Sequence, residues 1–266
     1  IVMNAIILAA GEGKRLRPLT NDKPKCLVEL FGKTLLEWQL SIFKKCGIND
    51  ICIVTGHNSQ MFRYTNVDYI KNENYKTTNM MESLFCAKER FSQSTIVSYG
   101  DIIFEEKILR KLIDSEDDFS VIIDKNWKDY WSMRFDEPIN DAESLSVDDN
   151  GYITSIGKKV KEISEIHGQY IGLMKFQNGA INTMKSFYEK CIKIFENSKI
   201  NPLNPKISFG NSFMTDFLQG LIDQGVKLKA VNINNGWLEL DNINDYRLYT
   251  QHNSKSSISK FFDIND

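Results

Sequence analysis

The sequence predicts an α/β fold: a doubly wound, mostly parallel sheet with a small β-rich part. Two observations carry that prediction. Short continuous apolar runs alternate with amphipathic helical stretches through the first half of the chain. That is the rhythm of strands covered by helices on both faces. After about residue 125 the rhythm gives way to short runs separated by turn residues, the pattern of antiparallel hairpins.

Taken in order, residues 5–10 form an apolar run that ends at Gly11, as a buried parallel strand does. Residues 11–25 are rich in glycine, proline and charge and predict a loop. Over 35–46 the apolar positions recur at helical spacing, and Gly47 is the natural stop. Further strands are expected over 51–55, 95–98 and 119–123, and helices over 79–91 and 105–114. Residues 145–147 and 152–154 flank Asn150-Gly151 and predict a hairpin. A strand over 169–176, helices over 181–195 and 212–223, and short strands over 227–233 and 237–240 complete the expectation. The simplest organisation is a single domain over 1–251, its β-rich part at about 125–176, with a polar tail over 252–266. In that tail only Phe261 and Phe262 are available to pack.

Composition narrows the function classes. The chain has 266 residues, enough to bury a sizeable core without disulfide or metal staples. Lys and Arg total 33 against 35 Asp and Glu, a net charge of −2, which argues against an extended nucleic-acid surface. Aromatic residues at 11% exclude an acidic disordered chain. The five cysteines are odd in number and show no CxxC, so reduced thiols and a cytoplasmic protein are expected. No apolar run is long enough to span a bilayer, and no signal peptide is visible, because the apolar stretch from the plausible start at Met3 runs straight into a glycine loop. His57, His167 and His252 have no ligand spacing and receive no role.

The local chemistry begins at Leu8-Ala9-Ala10-Gly11-Glu12-Gly13-Lys14-Arg15-Leu16, directly after the first expected strand. Glycines permit close approach to a phosphate, and Ala9 and Ala10 leave room for a flat base. Residues 11–25 carry five basic and two acidic side chains, a local excess of three positive charges. The string is not a Walker loop, and Leu16 replaces the third glycine of a dinucleotide fingerprint. Cys26, beside Lys25, reads as a packing residue rather than a reactive thiol.

Asp101 follows Tyr99-Gly100 at the end of an expected strand, where open α/β sheets bind ligands. On position alone it is a magnesium ligand or the cap of the next helix, and both stay open. Glu239 and Asp241 are two apart, so on a strand they share a face. Like charges on one buried face call for a cation, although Asp241 could equally cap a following helix.

The string from Asn4 to Thr20 with Lys23-Pro24-Lys25 closely resembles the LAAGxGxRLxPLTxxxPKxL signature of the nucleotidyltransferases that activate sugar 1-phosphates and related phospho-compounds. The likeness continues through Gly32-Lys33-Thr34-Leu35-Leu36 and Gly47-Ile48-Asn49-Asp50-Ile51. It implies a Rossmann-like nucleotidyltransferase fold and an NTP co-substrate. The backbone at Ala10, Gly11 and Gly13 would then meet base and phosphates, with Leu8, Lys14 and Gly100 beside them. Arg15 would hold the leaving phosphates, and Lys25 would bridge the α-phosphate and the attacking phosphate. The resemblance matches Asp101 to the first metal aspartate. It matches Glu239, Asp241 and Asp245-Tyr246 to a late element of phosphocholine cytidylyltransferases, so Mg²⁺ is the expected cofactor.

Thr78, Asn79 and Ser83 resemble the TN…SL element of cytidylyltransferases and point to CTP; locally, Thr78 or Asn79 serves equally well as a helix cap. For the acceptor, two of the four tryptophans, Trp127 and Trp131, fall close together with Asp129, Asp141 and Glu143 nearby. Aromatic faces and carboxylates attract an ammonium group, and Arg134 could hold a phosphate or phosphonate. A hydrophobic cap over the sheet edge is the alternative. The order from Trp127 through Ile156-Gly157-Lys158-Lys159 to Gln169-Tyr170-Ile171-Gly172-Leu173 is similar to cytidylyltransferases for aminoalkyl phosphonates and phosphoglutamine. That likeness adds Lys158, Lys159 and Tyr170 to the candidates, while Tyr130 stands where the pattern has leucine.

The expected function is therefore Mg²⁺-dependent transfer of CMP from CTP to 2-aminoethylphosphonate, phosphocholine or phosphoglutamine, releasing pyrophosphate, for decoration of surface glycans or lipids. No nucleic-acid or membrane partner is expected, and a homodimer stays open. The alternatives are a sugar-1-phosphate thymidylyl- or uridylyltransferase and a non-catalytic nucleotide-binding regulatory subunit.

Overall fold

A computed structural model describes residues 2–251 and 257–266 of the chain. In order these form β1 (Met3–Ala9), β2 (Glu29–Leu30), β3 (Lys33–Thr34), α1 (Leu35–Lys45), β4 (Ile51–Thr55), β5 (Asp68–Lys71), α2 (Met80–Cys86), β6 (Ser94–Tyr99), β7 (Ile102–Phe104) and α3 (Glu106–Ile113). There follow β8 (Phe119–Asp124), α4 (Trp127–Arg134), β9 (Leu145–Val147), β10 (Ile153–Ile156), β11 (Gln169–Gln177), α5 (Gly179–Ser198), α6 (Met214–Asp223), β12 (Lys229–Ile233), β13 (Trp237–Glu239) and α7 (Ile243–Thr250).

Seven strands make one sheet in the order β12-β8-β11-β6-β1-β4-β5. Neighbours run parallel except at β11, which is antiparallel to both β6 and β8. The continuous apolar run of β1 is explained by its two covered faces. Ala5, Ile7 and Ala9 join one core layer with α1 and α3, while Ile6 and Leu8 join the other with α2, α5 and α6. Each fully buried aliphatic side chain contributes about 1.5–3 kcal/mol, so this central strand anchors both layers. From β1 the chain builds toward β4 and β5, then crosses back to place β6 on the other side of β1. That reversal opens a crevice at the carboxyl ends of β1 and β6.

Helix α1 starts where its sequence says it should. Thr34 accepts from the Glu37 amide at 3.0 Å, and Glu37 returns a 2.9 Å bond to the Thr34 amide. The hairpin around Asn150-Gly151 forms as β9 and β10, a separate two-stranded ribbon. Several elements lie outside the sequence expectation, the short β2–β3 pair and α7 among them. β5 is a polar edge strand with little apolar signal. α4 buries Trp127, Tyr130 and Trp131 on one face, but Arg134 shares that face and the helix is only eight residues long. β7 is a short strand that pairs antiparallel with β13, in the register Ile102↔Glu239 and Trp237↔Phe104.

Of the tail expected over 252–266, residues 252–256, His252 among them, lie outside the described residues. Beyond them Ile258, Phe261 and Phe262 are buried, and Phe262 lies edge-on to Trp38 at 5.5 Å. Among the described residues the cysteines are free, and no helix is long and apolar enough to cross a membrane.

Candidate active site

The loop after β1 turns back on itself before it reaches its basic residues. Gly13 adopts a left-handed φ of 61°, and a Cβ there would sit 3.1 Å from both the Lys25 and Thr20 side chains. Thr20 Oγ1 donates to the Gly13 carbonyl at 2.6 Å, and buried Leu16 pins the short helical turn that follows. Across the crevice, the end of β6 passes so close to β1 that a Cβ on Gly100 would meet the Leu8 carbonyl at 2.8 Å. The next residue, Asp101, is thereby delivered beside Lys25.

The β7–β13 pair supplies the rest. Asp101 immediately precedes Ile102, whose partner in the ladder is Glu239, and the Asp101 carbonyl accepts from the Leu240 amide at 2.9 Å. Asp101, Glu239 and Asp241 each bring a carboxylate oxygen within 4.8 Å of the others. The two capping readings fall away: Glu105 stands at the N-cap of α3 and Asn242 at that of α7.

Cations of the chain face this cluster. Lys25 Nζ lies 2.9 Å from Asp101 Oδ2 and 3.3 Å from Asp241 Oδ1, and Arg15 reaches Asp241 Oδ1 at 2.7 Å. Burial alone would push the Lys25 ammonium down, but Asp101 and Asp241 outweigh it and hold its pKa above the ordinary value. Glu239 moves up, because its depth in the cleft and then Asp101 and Asp241 outweigh the attraction of Arg134 and Lys25.

The donor set suits a hard divalent cation. Asp101 Oδ1 is buried and has no hydrogen-bond partner, a costly arrangement for a carboxylate oxygen unless a cation meets it. Among the described residues, Asp241 Oδ2 and Glu239 Oε1 accept no hydrogen bond either, while each second oxygen is held by a side-chain cation. A few carboxylates beside a basic phosphate cradle are the ligands Mg²⁺ favours.

A cleft of about 380 Å³ opens beside the glycine loop. Leu8, Gly11, Gly13, Lys14, Arg15, Lys25, Thr78, Asn79, Gly100, Asp101 and Asp241 line it, as the sequence groups them. Two candidates do not line it. Ala10 is buried and its carbonyl accepts from the His57 amide, so Ala9 faces the cleft instead. Ser83 is buried and accepts from Asn72 Nδ2 at 3.0 Å. Asn79 does cap α2, its Oδ1 accepting from the Met80 amide, and still faces the cleft. Sequence reasoning passed over Tyr75 and Lys76, an aromatic-basic pair on the loop before α2 that also lines it.

A second cavity of about 600 Å³ adjoins the first and shares Arg15, Asn79, Met80, Asp101 and Asp241 with it. Trp131, Asp141, Glu143, Lys159 and Tyr170 line this space, and Trp131 Nε1 donates to Asp141 at 3.0 Å. Burial, with Asp141 and Asp216 nearby, pushes Glu143 up to about 7 despite Lys159. Asp216, Phe213 and Asn204 also line it; they lie far along the chain from the aromatic cluster, and no motif marked them.

Four acceptor candidates are corrected. Trp127 is 1% exposed and packs edge-on against Trp131 inside the core. Asp129 lies on the outer surface in an ion pair with Lys260. Lys158 is exposed and lines neither cavity. Arg134 is buried with its guanidinium already committed, bidentate to Asp245 at 2.9 Å on both arms and to Glu239 Oε2 at 2.8 Å. It has no free fork to offer a phosphate. Cys26 is a packing residue, its thiol pushed up to about 12 by burial.

The profile of the MobA-like NTP transferase domain matches residues 5–135. The chain is 39% identical over 256 residues to a CTP:phosphoglutamine cytidylyltransferase of Campylobacter jejuni, covering 91% of this chain and 97% of the relative. It is 39% identical over 107 residues to a choline-phosphate cytidylyltransferase of Streptococcus pneumoniae, covering 39% of this chain and 47% of that one. The solved structure of a CTP:phosphocholine cytidylyltransferase from Streptococcus pneumoniae superposes with a TM-score of 0.70 at 23% identity, over 93% of this chain and 97% of the other.

Proposed function

The chain belongs to the nucleotidyltransferases that carry the MobA-like NTP transferase domain, and from that premise we propose that it transfers CMP from CTP to a small amino-bearing phospho-compound. Phosphoglutamine is the first candidate acceptor, ahead of phosphocholine and 2-aminoethylphosphonate. The likeness to the phosphoglutamine enzyme runs through 91% of the chain, the acceptor region included. One observation carries the reading: a carboxylate cluster stands where a basic nucleotide cleft meets a second cavity. That cavity combines an aromatic wall at Trp131 with Asp141, Glu143 and Asp216, a setting that attracts an ammonium group. Lys159 on its rim supplies the charge for an acceptor anion.

The reaction is a single displacement. An acceptor phosphate oxygen attacks the α-phosphorus of CTP, the new P–O bond forms, and the bond to pyrophosphate breaks. The nucleophile is already an anion, so no general base is required; positioning and charge neutralisation do the work. Asp101, Glu239 and Asp241 would hold a Mg²⁺ ion, which supplies Lewis-acid neutralisation of the phosphate charge when bound. Arg15 would take up the leaving pyrophosphate and Lys25 the α-phosphate, each exchanging a carboxylate partner for a phosphate one. Thr78 and Asn79 would read the cytosine edge. The free thiols support a reducing, cytoplasmic setting. The product is suited to donating its phospho-group to a surface glycan or lipid.

Pyrophosphate release with CTP, UTP, dTTP and GTP against these acceptors and glucose 1-phosphate tests the proposal. Turnover with CTP and an amino-bearing acceptor is expected. Turnover confined to dTTP or UTP with the sugar phosphate would make it a sugar nucleotidyltransferase, and none at all would favour a nucleotide-binding subunit.

A further inference from the structure

Arg134 and Asp245 form a buried pair outside the cleft lining. The Arg134 side chain is 1% exposed and that of Asp245 2%, and the guanidinium lies 5.3 Å from the Tyr130 ring, 5.4 Å from Trp131 and 4.8 Å from Phe135. Burying such a pair is a weak source of stability, so its geometry asks for another purpose.

That geometry is directed at the carboxylate cluster. Arg134 Nη1 fixes Glu239 Oε2 at 2.8 Å, and Glu239 brings a carboxylate oxygen within 4.8 Å of those of Asp101 and Asp241. Asp245 Oδ2 accepts from Arg134, from the Asp241 amide at 3.0 Å and from the Asn242 amide at 3.3 Å, so it fixes the backbone that presents Asp241. The Tyr130 hydroxyl accepts from the Glu239 amide at 2.9 Å, and Tyr249 donates to the Glu239 carbonyl at 2.7 Å.

We propose that Arg134 and Asp245 are positioning residues that set the two late carboxylates in the geometry a divalent cation needs. The inference rests on the metal-site reading above. A planar fork holds Glu239 and Asp245 at once; a lysine keeps the charge but not the two-way grip. Partners that orient metal ligands are worth about 10–100-fold in metal affinity.

The test is Mn²⁺ binding to the full chain, measured by electron paramagnetic resonance and calorimetry with thermal unfolding alongside. Arg134→Lys and Asp245→Asn are expected to weaken Mn²⁺ binding by about tenfold or more at temperatures where each is fully folded, and to lower kcat more than they change KM for CTP. Thr34→Ala, remote from the cleft, serves as a folded control with wild-type binding. Should Arg134→Lys fail to fold, Asp245→Asn carries the measurement. A folded variant of lowered melting temperature but wild-type Mn²⁺ affinity overturns the proposal and leaves the pair a structural ion pair. A wild type that binds no Mn²⁺, or an Asp101→Asn variant that binds it as well as wild type, overturns the metal reading itself.

Discussion

Asp101 and Glu143 are two carboxylates with opposite assignments. Asp101 keeps one oxygen on Lys25 and one without a partner. Replacing it with alanine should cost about 10²–10³ in kcat, the scale of losing a principal electrostatic contact to the transition state, read in a pyrophosphate-release assay with folding checked by circular dichroism. Glu143 titrates near neutrality, at about 7 against an ordinary 4.5. Between those two values the native state keeps a proton that the unfolded chain has released, so stability should fall as pH rises through that window. Glu143→Gln should flatten that decline in denaturant titrations. It should also remove any loss of acceptor affinity on acidifying from pH 8 to 6, because only the ionised carboxylate attracts an ammonium. An unchanged pH profile in the variant would take Glu143 out of acceptor binding.

Among the elements, those with a clean period could be read directly. The β1 and β4 runs are apolar throughout because both faces are covered, and α1 announces itself by its apolar spacing and the stop at Gly47. What stayed hidden was of two kinds. The rings of α4 do share one buried face, Trp127, Tyr130 and Trp131 standing at helical spacing, but Arg134 lies on that same face and the run is only eight residues long, so its apolar signal is diluted. The β7–β13 ladder joins segments far apart in sequence, and no local pattern reports a pairing of that kind. The candidate site divides in the same way. The glycine loop and its basic residues were legible as a string, and Asp101, Glu239 and Asp241 as residue types at telling places. That Arg134 is already spent on Asp245 and Glu239 needed the fold. At this scale Thr34→Ala removes one cap and should cost about 1 kcal/mol, visible as a lower melting temperature with unchanged turnover.

For the whole molecule, the chain end matters more than its polar composition suggested. Phe262 closes over Trp38 and Phe31, and Phe261 lies 5.5 Å from Tyr130. Phe262→Ala should destabilise the protein by about 3–5 kcal/mol, measured by urea unfolding. Its remaining folded fraction should show near-normal KM for CTP, because the ring lies outside the lining of both cavities. The near-neutral net charge, which spoke against a polyanion partner, fits a local arrangement: the cations of the glycine loop are balanced by carboxylates within the same cleft.

The two cavities meet at Asp101 and Asp241 and share no other carboxylates. Reactants lodged in them would approach the α-phosphorus from opposite flanks, with no cysteine or histidine of the shared wall available to take the nucleotidyl group in between. Handedness at phosphorus then becomes a record of the architecture. A CTP carrying a single chiral sulfur on its α-phosphate should emerge in the product with its configuration inverted once.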